Sequence, residues 1–153
     1  MILSSKFDVL RGGLREGSID ESFPVKVTAG VPVTLIPGTV VQLQPDGTVD
    51  KATTPNMTNA DAKAPWLVVE GNDDYSAKFV GKVVCLRNNV VVRLDPANFV
   101  PGTYPPTTPV SFDAGRFKVA AATNQIIGEV ISNDTALDGT ITVYFHGGAI
   151  AKV

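Results

Sequence analysis

Between Ile126 and Phe145 the chain alternates apolar and polar side chains with a period of two. Ile141, Val143 and Phe145 are interleaved with Thr140, Thr142 and Tyr144, and Ile127 and Ile131 flank Glu129 at the same spacing. That is the period of a half-buried β-strand rather than of a helix. The polar stretch Ser132–Asp138 between the two runs makes them an antiparallel hairpin. Gly128 inside the first run predicts a bulge or tight bend, as where a small sheet curls. Read this way, the hairpin is the closing seam of a small β-barrel or sandwich.

The rest of the chain obeys the same constraint. With 14 glycines and 11 prolines among 153 residues, few windows are long enough for a helix. Val33–Leu35 alternates, and Pro37-Gly38 suits the centre of a type II turn. Leu43 falls opposite Val49 if Pro45-Asp46-Gly47 is the loop between their strands. Trp66–Glu70 is a strand ending in an acidic loop, Gly71–Ser76, and Thr53–Pro65 is a long connection with a helical turn near Asn59–Lys63. Asn88-Asn89 tolerates positive φ, so Lys82–Arg87 and Val90–Leu94 are expected to form a hairpin that pairs Cys85 with Val92. That hairpin is apolar on both faces, which places it deep in the structure or in an interface. Asp95–Pro109 reads as a surface excursion around Tyr104. A four-residue loop Asp113–Arg116 puts Val110, Phe112, Phe117 and Val119 on one face. The count is about ten short strands, at the spacing of an all-β barrel or sandwich.

Residues 1–30 differ from this body (31–153). Phe7, Leu10, Leu14, Ile19 and Phe23 are spread among charged residues, and Gly12, Gly13 and Gly17 interrupt any local element. The segment reads as an extended arm whose apolar side chains are anchors against a neighbouring subunit or target.

Composition narrows the function classes. The net charge of −2 gives no general attraction to nucleic acid or to an anionic membrane surface. No apolar run is long enough to span a bilayer as a helix, and the first residues lack the order of a signal peptide. Charged residues are only 18% of the chain against 44% hydrophobic, which points to apolar surface that meets a partner. The single cysteine, Cys85, rules out an internal disulfide and is expected to pack beside Val92. His146 is the only histidine, so a His/Cys metal centre is not expected, and Glu70 with Asp73-Asp74 lacks the pattern of a calcium loop. No nucleophile elbow and no phosphate-binding glycine loop is present. Neither an enzyme nor a cofactor site is expected.

Pro37–Val41 through Asp46–Val49, the strand Trp66–Gly71, and Gly128–Ile131 with Gly139–Val143 resemble, in pattern and order, the head decoration (cement) proteins of tailed bacteriophages. The resemblance spans residues 31–146. It implies a compact body, β-tulip-like and closed or partly open, preceded by an N-terminal arm. It also implies a structural role on the outer surface of the virion, after synthesis in the host cytoplasm. The partner would be the major capsid protein, and the protein would self-associate, as a trimer more readily than as a dimer. A virion-displayed carbohydrate- or receptor-binding module is the rival. It needs an exposed aromatic cluster, for which Trp66, Tyr75 and Tyr104 are the candidates.

Overall fold

The computed structural model describes residues 5–53, 64–73 and 81–151, with side chains as far as Gly147. The strands are β1 (Asp8–Arg11), β2 (Ile19–Pro24), β3 (Val27–Thr28), β4 (Val31–Pro32), β5 (Val40–Leu43), β6 (Val49–Lys51), β7 (Trp66–Glu70), β8 (Lys82–Arg87), β9 (Val90–Leu94), β10 (Pro109–Asp113), β11 (Arg116–Val119), β12 (Gln125–Asp134) and β13 (Thr140–Ala151). Two single-turn 3₁₀ helices, Leu14–Glu16 and Pro96–Asn98, are the only helical elements among the described residues. The helical turn expected near Asn59–Lys63 lies outside them.

The protein is all-β, but it is not a closed barrel. One sheet has six strands in the order β1-β9-β13-β12-β10-β11, a second has five in the order β2-β8-β7-β5-β6, and β3 and β4 form a separate hairpin. The edge strands are β1 and β11 in one sheet and β2 and β6 in the other; β6 and β11 are partly covered by the bridges Val25–Val49 and Phe99–Phe117. The expected closing hairpin, β12–β13, sits inside the six-stranded sheet, where β13 also pairs with β9.

The openness follows from the junction between β8 and β9. The sequence reads as a hairpin there, and both Asn88 (φ 66°) and Asn89 (φ 51°) do take the left-handed conformation. Yet β8 pairs with β2 and β7, whereas β9 pairs with β1 and β13. The two strands form an arch that crosses from one sheet to the other. The crossing lets Leu86 from one side and Val90, Val92 and Leu94 from the other meet in a single core. Val83 and Cys85 point the opposite way, into a second cluster with Val41, Trp66 and Val68. Cys85 therefore lies beside Val68 and not beside Val92. A flat hairpin would leave one of these two apolar faces in water, at a cost of about 1.5–3 kcal/mol for each large side chain left exposed.

The five-stranded sheet is thus a middle layer, with the six-stranded sheet on one face. The other face is covered by residues 25–35 through Val25 and Leu35, both buried. Asn72 holds that cover in place. Its Oδ1 accepts from the Leu35 N–H at 2.7 Å and its Nδ2 donates to the Val33 carbonyl at 2.9 Å. Residues 33–35, read from the sequence as a strand, are held by this clasp instead.

Other registers follow the sequence reading. Leu43 lies opposite Val49 and Phe112 opposite Phe117. The β10–β11 loop is tighter than expected, because Asp113 and Arg116 also pair, leaving Ala114 (φ 48°) and Gly115 (φ 81°) as a primed two-residue turn. Val119, at the end of β11, is exposed. The stretch 95–109 is less of a surface excursion than it reads. Phe99 and Tyr104 are buried, packed edge to face at 5.3 Å, and the Tyr104 hydroxyl donates to the Val100 carbonyl. Prolines confine that backbone, while its two aromatic rings find core space the local sequence does not reveal.

Gly128 is where the longest pair of strands approaches most closely. Register shifts fall on both sides of it, and a Cβ there would lie 2.2 Å from the Tyr144 carbonyl oxygen. Since the obstacle is backbone, relief requires moving a strand. Gly128→Ala is expected to lower stability by about 1–3 kcal/mol, read as a lower midpoint in chemical denaturation with an unchanged slope.

Candidate interaction surfaces

The N-terminal segment does not stand apart from the body. β1 runs antiparallel to β9, placing Asp8 opposite Arg93 and Val9 opposite Val92. The Arg93 guanidinium lies 3.4 Å from the Asp8 carboxylate, and the Lys6 N–H donates to Asp95 Oδ1 at 3.0 Å. The chain then turns through Leu14–Glu16, and β2 pairs along the whole of β8. Because β8 and β9 belong to different sheets, residues 8–24 make a second arch outside the first. The Ser18 hydroxyl donates to the Asn89 carbonyl at 3.4 Å where the two arches cross.

The five expected contact residues divide into two groups. Phe7 is half-buried against the main core, and Phe23 packs edge-on against Trp66 at 5.0 Å. Leu10, Leu14 and Ile19 stay in solvent, 49%, 78% and 44% exposed. All three lie along the side of the molecule where β1 and β2 end their sheets. The outer backbone N–H and C=O groups of such edges have no sheet partner, which makes them templates for strand addition. Asp8, Arg11, Asp20, Glu21 and Pro24 on the same edges are the residue types that discourage indiscriminate pairing. The apolar side chains of the Lys82–Leu94 arch, in contrast, are mostly taken up by the two cores of the chain itself.

An open cleft of about 450 Å³ lies at the end of the five-stranded sheet, lined by Leu43, Gln44, Pro45, Ala64, Trp66 and Arg87. The Arg87 guanidinium stacks over the Trp66 ring, 4.0 Å from its centroid. It also donates to the Pro65 carbonyl (Nε, 3.1 Å) and to the Ala64 carbonyl (Nη2, 2.6 Å). Burial lowers its pKa, and among the described residues no carboxylate pairs with it. The sequence carried no sign of this cleft: Trp66 and Arg87 are 21 positions apart and meet only because β7 and β8 are neighbours.

The groups with chemical potential lie scattered. His146 is half-buried with its ring 6.0 Å from that of Tyr144, and burial lowers its pKa. Cys85 is fully buried, and desolvation pushes its thiol up to about 12, with the charge of Asp20 adding to the shift. Among the described residues no three His, Cys, Asp or Glu side chains converge as metal ligands. Trp66 and Tyr104, two of the three aromatic candidates for sugar stacking, are buried; Tyr75 and Asp74 lie outside the described residues. No protein-family model, curated protein or solved structure matches the chain.

The Cys85 environment has a consequence for stability. A thiol in the unfolded chain titrates near 8.5, whereas the folded one is held to about 12. The folded state therefore keeps a proton that the unfolded state loses. This contribution is fully present below about pH 8.5 and falls as pH rises toward 12, by up to ~1.4 kcal/mol per pH unit. Denaturant titrations at pH 8 and pH 10 are expected to show that loss, and Cys85→Ala is expected to reduce the slope.

Proposed function

We propose that this protein is a non-catalytic structural component that binds the outer surface of a tailed-phage capsid and braces contacts between capsomers. The observation that carries the reading is the line of exposed Leu10, Leu14 and Ile19 along the open edge formed by β1 and β2. A large partner covering those side chains gains up to about 1.5–3 kcal/mol for each one fully buried. The segment bearing them is already paired to the body, so little further backbone ordering, at about 1–2 kcal/mol per residue, opposes binding. The exposed edge adds backbone hydrogen bonds that demand little of the partner's sequence. On a symmetric shell, many copies multiply a modest individual affinity. The resemblance to decoration proteins supplies the identity of the partner, the major capsid protein.

The test is co-sedimentation with expanded, empty tailed-phage capsids stripped of decoration. Wild-type protein is expected to pellet with them and to saturate. The triple variant Leu10→Ser, Leu14→Ser, Ile19→Ser is expected to keep its circular dichroism and bind at least about tenfold more weakly. Wild-type protein that stays in the supernatant, or a triple variant that binds unchanged, would overturn the reading.

A further inference from the structure

Among the described residues, the most exposed large apolar side chain outside the N-terminal edge is Leu137, 85% accessible at the tip of the β12–β13 loop. The loop is stiff. Asn133 Oδ1 accepts from the Thr135 N–H (3.0 Å) and hydroxyl (2.6 Å), and Asp138 Oδ1 accepts from the Thr140 N–H (3.0 Å) and hydroxyl (2.6 Å). The Leu137 and Asp138 N–H groups both donate to the Asp134 carbonyl at 3.0 Å. Lys6 Nζ ties the loop to the N-terminal strand by donating to the Asp138 carbonyl at 2.6 Å. A leucine held in water on so constrained a turn loses little conformational freedom when it docks, which is the property of an interface anchor.

Its complement lies on the same chain, at the other end. Gly147 marks that end: a Cβ built there would lie 2.9 Å from the Pro65 carbonyl oxygen and 3.0 Å from Arg87 Cγ, beside the cleft. Leu137 precedes the first residue of β13, and Gly147 lies seven residues into it, roughly 23 Å along an extended strand. One copy cannot close on itself over that span, but two copies can.

We propose that the Leu137 loop of one copy docks into the Leu43–Pro45–Trp66–Arg87 cleft of a second copy. The cleft has an apolar wall for Leu137. Its Arg87 cation, unmatched by any carboxylate among the described residues, meets the Asp134 and Asp138 that the loop brings, with Lys6 and Arg93 offsetting part of the Asp138 charge. Its volume of about 450 Å³ is that of a site for a small guest, enough for a loop tip and too small for a folded element. The contact joins unlike surfaces, so repetition builds a two-fold pair in which it occurs twice, a closed ring, or an open filament. It uses a different surface from the N-terminal edge and goes beyond the capsid reading, so either can fail without the other.

The experiment is light scattering after gel filtration, with protein in the micromolar range and above. Wild-type protein is expected at a multiple of the chain mass. Leu137→Asp and Pro45→Asp, both at exposed positions, are each expected to run as monomers with unchanged circular dichroism. Leu137→Ala, which adds no charge, is expected to shift the equilibrium the same way. The two aspartate variants mixed together are expected to form a one-to-one complex, because the intact loop of one meets the intact cleft of the other. A monomeric wild type, an aspartate variant that keeps the wild-type mass, or a mixture that stays monomeric would overturn the proposal.

Discussion

Leu86 and Val90 stand four residues apart and face each other across the main core from two different sheets, because the chain between them turns through Asn88 and Asn89. The rest of the fold depends on that crossing. It turns a strand pair with apolar residues on both faces into a floor and a ceiling, and it obliges the strands before and after it to build separate sheets. Tyr144 steadies the turn by donating its hydroxyl to Asn89 Oδ1 at 2.9 Å. The N-terminal segment copies the same path one layer out, with Ser18 meeting Asn89 where the arches cross.

A sandwich built in this way has free edges where a barrel has none, and those edges set its surface character. On one side the terminal strands are β1 and β2, whose outward backbone is accompanied by three exposed aliphatic side chains. Charged residues and a proline on the same strands limit promiscuous pairing without closing the edge. The ends of the sandwich differ again. One carries a rigid loop with a solvent-exposed leucine, the other a cleft whose arginine is stacked on a buried tryptophan.

Much of the local structure was legible in the chain. The period of two over 141–145 is found in β13, and the turn at Asp46-Gly47 sets Leu43 against Val49, but in β12 the irregular register beside Gly128 breaks the period, burying Ile127 and Val130 and leaving Ile131 exposed. Gly128 reads as a bulge or tight bend, and the register shifts beside it. The failures share a cause. Lys82–Leu94 satisfies every local rule for a hairpin, since the Asn-Asn turn and the alternation fit a hairpin and an arch equally well. Val110 and Val119 lie opposite each other as expected, yet only Val110 is buried, because depth depends on what covers the strand. Phe99 and Tyr104 lie among prolines and glycine that mark a loop, and no local signal says that the loop's aromatic rings turn inward.

Taken alone, the sequence determined the class of structure and the places of most strands from β5 onward, though not β1 to β3, because alternation, turn residues and backbone conformational preference act over a few neighbouring positions. It also determined a net charge of −2. Tertiary structure decided which strands share a sheet, and with that whether the body closes. It decided that Phe7 and Phe23 are packed while Leu10, Leu14 and Ile19 are not, and that Arg87 meets Trp66. Those outcomes rest on burying apolar area between segments distant in sequence. That energy is non-directional and belongs to the whole packed arrangement, so no short stretch of the chain encodes it.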